Sequence, residues 1–240
     1  MKRKLITCVI ILMIWQMASC IIGKEVISPF PSDVFLRMAS FCTYEEFYLS
    51  IFYSLIRIFE SFLCAFIIGV GLGVMSGLYV SIRQFLQPVM TVLQTIPQIG
   101  YILVLLVWFR SSFALFCIVF FMLMPVFYHN ALQGIINIDS DLKDVILLYH
   151  HSFFYNLRYA YLPLIKGYIL SAINTCLPLS LKVGVMAEIF VSSKQGIGKQ
   201  LYLARVQTDM VSIFAWIIWL IIIIVFIQWL MKIVISKLNI

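Results

Sequence analysis

Residues 211–233 read Val-Ser-Ile-Phe-Ala-Trp-Ile-Ile-Trp-Leu-Ile-Ile-Ile-Ile-Val-Phe-Ile-Gln-Trp-Leu-Met-Lys-Ile, with a single charge, Lys232, at the far end. About twenty apolar residues rising about 1.5 Å each match the roughly 30 Å hydrocarbon layer of a bilayer, so the stretch predicts a membrane-spanning helix. Comparable runs fall at about 5–22, 58–80, 89–109, 113–128 and 168–190. Lipid offers the backbone no hydrogen-bond partners, so each run must bond to itself as a helix, and nothing alternates with the period of two that a barrel needs. The expectation is an all-α membrane protein with six transmembrane helices in one domain, residues 1–240.

Composition leads to the same place. The chain is 63% hydrophobic and 11% charged, against about half and about a quarter for soluble domains, so it has too few polar side chains to cover a water-facing exterior. Six spans and modest loops fill 240 residues and leave no room for a separate catalytic domain. The net charge of +7 comes from Lys and Arg scattered between apolar runs rather than from a basic stripe, which excludes a nucleic-acid surface.

Orientation follows from positive charge near the spans. With the N-terminus inside, the inner segments carry nine Lys and Arg and the outer ones seven, and among the nine the Lys2-Arg3-Lys4 cluster directly before the first span carries the most weight. Both termini are therefore expected in the cytoplasm. The same cluster, its apolar run and Met17-Ala18-Ser19-Cys20 also fit a lipoprotein signal cleaved before Cys20. Five further spans favour a first transmembrane helix instead.

Few residues suggest chemistry. The six Cys have no CxxC spacing, and His129, His150 and His151 have no carboxylate or Cys at metal-ligand spacing, so no metal and no cofactor is expected. GxSxG and HExxH are absent, and Gly196-Ile197-Gly198-Lys199-Gln200 lacks the Ser or Thr and the spacing of a phosphate loop, so any ATP-driven role requires a separate ATPase.

Other features point to packing and passage. Gly69, Gly73 and Gly77 recur every four residues on one helix face, where another backbone can approach closely. Lys182 and Glu188 stand in or near the fifth span, where an ionised group costs at least a few kcal/mol without a partner or water. Six residues apart, about 240° round a helix, they do not share a face. Each either lines an aqueous pathway or is placed structurally, Lys182 by snorkelling and Glu188 at the outer helix end. Gln94, Pro97 and Gln98 open the third span and suit either a broken helix beside a pore or a plain kink. The inner connector, residues 139–163, holds two short amphipathic elements around His150, His151 and Ser152, with Asp139 or Ser140 placed to cap the first, and forms a docking knob for a soluble partner.

Here the chain resembles the inner-membrane permease subunits of binding-protein-dependent ABC importers, of MetI-like architecture, in the branch that carries nitrate, sulfonates and taurine. Their cytoplasmic motif runs EAA, three residues, Gly, nine residues, then I-x-L-P. With its Pro on Pro163 and its Leu on Leu162, the Glu falls on Asp144, the two Ala on Val145 and Ile146, and the Gly on His150. Ser54-Leu55-Ile56-Arg57 is similar to the family's S-L-x-R, Pro88 and Ile96-Pro97 to its prolines around the third span, and Ala187-Glu188 with Gly196-Ile197-Gly198 and Ala204 to its last signature. Pro29-Phe30-Pro31-Ser32-Asp33-Val34 resembles the outer-loop start.

The resemblance implies a bacterial inner-membrane, multi-pass subunit that works as a homodimer with two cytoplasmic ABC ATPase subunits and an extracytoplasmic solute-binding protein. It performs no chemistry itself and forms the pathway for a small organic or anionic solute. Asp144, Val145, Ile146, His150, Ser152, Leu162 and Pro163 would couple to the ATPase, and the loops around Gly196 and before Arg57 would meet the binding protein. The rival expectation is a secondary transporter driven by an ion gradient, which Lys182 and Glu188 could serve.

Overall fold

A computed structural model describes residues 2–148, 152–191 and 193–237. Among the described residues there is no strand. The helices are α1 (Lys2–Ile22), α2 (Pro31–Phe41), α3 (Glu45–Leu78), α4 (Val80–Thr95), α5 (Gln98–Trp108), α6 (Ser111–Ile136), α7 (Ser140–Leu148) and α8 (Phe153–Asn156). A π-helical turn, Leu157–Tyr161, leads into α9 (Leu162–Val191), followed by α10 (Ile197–Val206) and α11 (Met210–Lys237). Four stretches are long and apolar enough to cross a bilayer: α3, α6, Phe153–Val191 and Met210–Ile233. A fifth arises if α4 and α5, bent by 99°, form one span, and α1 contains the shorter apolar helix Val9–Ile22.

Helices outrun the apolar stretches wherever polar residues serve the helix itself. α6 extends beyond residue 128 to Ile136 because Asn130 donates from Nδ2 to the Val126 carbonyl at 2.9 Å while Ala131, Leu132, Gly134 and Ile135 are buried. α4 starts at Val80, well before residue 89, since Arg83, Gln84 and Gln87 hide a helix from a reading of apolarity.

The chain divides into two compact units, one formed by the segment through Leu55 with Glu188–Ile227, the other by Ile56–Ala187 with the segment from Gln228 onward. In the first, Val34 and Met38 of α2 bury against Val211 and Ala215 of α11. Trp15 stacks on Phe214 with centroids 5.5 Å apart, and Phe47 lies 5.4 Å from Trp216. The Trp219 indole donates to the Met38 carbonyl at 3.3 Å, giving a half-buried aromatic its polar partner. Asp209 starts α11 by accepting the Ser212 amide at 3.0 Å and the Ser212 hydroxyl at 2.7 Å, an N-cap arrangement. Burial pushes the Asp209 carboxyl up, but the Ser212 bonds, the Arg37 guanidinium and the Val211 amide outweigh it and hold it below the usual carboxylate range.

In the second unit, Val74, Ala131, Ile135, Ile138, Tyr161 and Ile165 form a core cluster. Contact between α3 and α6 depends on absent side chains. A Cβ on Gly69 would stand 2.7 Å from the Met124 carbonyl, one on Gly73 2.5 Å from that of Tyr128, and one on Gly77 2.5 Å from the Ile135 Cβ. Gly71, off that face, has nothing within 4 Å. Gly134 repeats the device from α6, where a Cβ would meet that of Ile165 at 2.9 Å.

Candidate functional site

The C-terminal end of α9 carries a fully buried carboxyl group. Glu188 is 0% exposed, and the Ser54 hydroxyl donates to its two oxygens at 2.8 and 2.7 Å. The Gly198 amide donates to Oε2 at 2.9 Å, and the Ile197 amide to the Ser54 Oγ at 2.8 Å. These amides open α10, whose first-turn N–H groups have no partner within the helix and whose capping position, Gly196, has no side chain. Two distant residues therefore cap α10. The carboxyl group also sits at the positive end of the helix dipole. Gly196 has φ 138° and ψ 169°, a conformation that favours glycine, and so the chain turns from α9 into α10 there. A second tie runs from the Gln200 Nε2 to Glu46 at 3.2 Å and to Ser50 at 3.3 Å.

Glu46, Ser50 and Ser54 lie four residues apart, one stripe on α3. Sequence reasoning singled out Glu188, the Gly196 loop and, in Ser54-Leu55-Ile56-Arg57, Ser54, but did not pair them, and it passed over Glu46 and Ser50. The spacing of small polar residues on α3 was the signal available. The same geometry explains why Gly196-Ile197-Gly198 is no phosphate site, since its amides already have acceptors.

A second cluster surrounds α7. Ile146 packs against the core cluster with Leu157 and Leu162, and Lys143 donates to the Ile136 carbonyl at 3.0 Å, satisfying an end of α6. Asn137 donates to the Tyr168 hydroxyl at 3.0 Å, tying α6 to α9. With that face anchored, Asp144 points to the exterior with Leu142 and Val145, each 47% exposed, and so do Ser152 and Pro163. His150 lies outside the described residues. The π-helical turn stands between α8 and α9, an arrangement often found at functional positions.

The third location is the break between α4 and α5. Ile96 and Pro97 are extended, with ψ of 127° and 131°, and Pro97 has no N–H to offer the α4 ladder. Gln94 is exposed on one side of the break. Gln98, on the other, donates to the Met122 sulfur at 3.3 Å, as the Tyr101 hydroxyl does at 3.2 Å. Lys182 is exposed on α9, and among the described residues no ion pair includes it. Among the described residues no group of His, Cys, Asp and Glu could hold a metal.

These features, an anchored short helix with an exposed apolar face, a broken apolar span and a capped helix beyond the end of α9, recur in the order of the motifs quoted from the sequence. The chain is 31% identical over 147 residues to the nitrate import permease protein NrtB of Leptolyngbya laminosa, covering 60% of this chain and 52% of that protein. It is 29% identical over 147 residues to the bicarbonate transport system permease protein CmpB of Synechococcus elongatus, with the same 60% and 52% coverage. The chain thus spans about half the length of the curated relatives it matches. The model of the family described as binding-protein-dependent transport system inner membrane component matches residues 69–240, a stretch that takes in the glycine face of α3, the α10 cap and α11, and the chain belongs to that family.

Proposed function

We propose that this chain is the permease subunit of an ABC importer. With a second copy it forms the translocation pathway for a small anionic solute of the nitrate or bicarbonate class. Separate cytoplasmic subunits hydrolyse ATP, and an extracytoplasmic binding protein delivers the solute. The observation that carries the reading is α7, clamped to its own core through Ile146 and Lys143 while Leu142, Asp144 and Val145 face outward. An apolar stripe on a charged, well-anchored short helix suits insertion into the groove of a soluble partner. Movement of that partner is then passed to the core at Leu162, and the pathway switches as a rigid body.

In this reading six crossings are made by α1, α3, the α4–α5 pair, α6, the α8–α9 run and α11, with both termini inside. Lys182, exposed on an apolar helix, attracts the anion, and Gln94 and Gln98 offer amides beside the break. The relatives' solutes, nitrate and bicarbonate, support the anionic class.

The test is uptake of labelled nitrate and of labelled bicarbonate by proteoliposomes containing the native assembly, with and without ATP, for the native chain and for Asp144→Lys combined with Val145→Glu. Uptake that depends on ATP, with ATPase co-purification lost in the variant, is the expected result. Accumulation without any ATPase subunit, or a variant that still binds and couples, overturns the proposal.

A further inference from the structure

We propose that Glu188, with Ser54, is a positioning pair. It fixes α10 to the ends of α9 and α3, so that a receptor docking on α10 acts on those helices rather than on a loose loop. This rests on the importer reading, in which the surface around Gly196 meets the solute receptor. An anchor for a surface loop requires only apolar packing, yet this one uses a fully buried carboxyl group that accepts the Gly198 amide of α10 and a hydroxyl 134 residues away in sequence, and that hydroxyl in turn accepts the Ile197 amide. Ser54 acts in both directions, donating to Glu188 and accepting from Ile197, so removal of either side chain unties one α10 amide and breaks the bond that links the two acceptors. Hydrogen bonds are directional where apolar contacts are not, and so this latch sets the angle of α10 as well as its contact. The Gln200 tie to Glu46 and Ser50 holds the next turn of α10 to the same stripe of α3. α9 continues as one helix from Val191 back to Leu162, the residue beside the motif's Pro163.

The experiment compares the native assembly with Glu188→Gln and Ser54→Ala, and with Gln200→Ala, which cuts the partly exposed second tie without touching the buried group. Two quantities are read: ATP hydrolysis with and without the receptor, supplied with nitrate in one arm and bicarbonate in another, and hydrogen exchange at 197–200. Loosening the latch is expected to speed exchange at these amides about tenfold or more. Receptor-stimulated hydrolysis is expected to fall about tenfold while receptor-free hydrolysis stays within about twofold. Ser54→Thr, which keeps the hydroxyl, restores stimulation. Variants with native stimulation overturn the latch, and so does an equal loss of both hydrolysis rates, which marks a merely structural role. If the native assembly shows no stimulation at all, the importer reading falls and takes this inference with it.

Discussion

At Gly73 a single methyl group decides whether two helices meet. Its Cβ would stand 2.5 Å from the Tyr128 carbonyl and 2.7 Å from the Ala131 Cβ, one of them backbone and neither able to swing aside. Gly71, two residues earlier, faces open space. Overpacking of this kind costs about 1–3 kcal/mol, whereas Gly to Ala in an exposed helix position gains up to about 1 kcal/mol. Gly73→Ala is therefore expected to lower the thermal midpoint of the detergent-purified protein, and Gly71→Ala to leave it unchanged or raise it. Size-exclusion recovery after heating measures both. Equal behaviour of the two variants would remove the close approach of α3 and α6 as the reason for glycine.

At the level of elements, the long helices were legible because a bilayer-length apolar run has one solution. Their ends were not. α4 begins among Ser81, Arg83 and Gln84, and α6 continues through His129, Asn130 and Gln133, residues whose polarity reads as a loop, although in α6 their neighbours Ala131, Leu132, Gly134 and Ile135 are buried. The π-helical turn at Leu157–Tyr161 has no Gly or Pro to announce it. The α4–α5 break was half legible: Pro97 marked its place but not its size, since a proline kink and a 99° bend begin from the same missing N–H. The bend arises because both Ile96 and Pro97 are extended. Pro97→Ala returns the N–H and lets α4 run on into α5. Stability is expected to hold or rise, while ATP-dependent uptake of nitrate or bicarbonate falls at least several-fold. Native uptake by a stable variant would mean that the break is incidental to passage.

For the molecule as a whole, the buried partner of Glu188 illustrates why a constellation can escape a sequence. Ser54 stands 134 residues from Glu188, and only the packing of α3 beside α9 and α10 brings the two together. Topology is different, since every crossing inverts the side of the next loop and one reliable side fixes them all. The chain's own cysteines supply that side. Cys20, near the end of α1, and Cys42, just after α2, are exposed, whereas Cys117 and Cys176 are buried. If Lys2-Arg3-Lys4 holds the start of the chain inside, as the nine-to-seven division of basic residues suggests, Cys20 and Cys42 emerge on the outer face. A membrane-impermeant maleimide added to intact spheroplasts is then expected to label the native chain, and Cys20→Ser combined with Cys42→Ser to abolish that label. Cys117 and Cys176 should react only after denaturation. Labelling of Cys20 and Cys42 that appears only once the membrane is opened would invert the molecule, placing α7 outside and α10 inside. Neither the ATPase contact at Asp144 nor the receptor contact at α10 could survive that inversion, so the experiment tests the arrangement on which both depend.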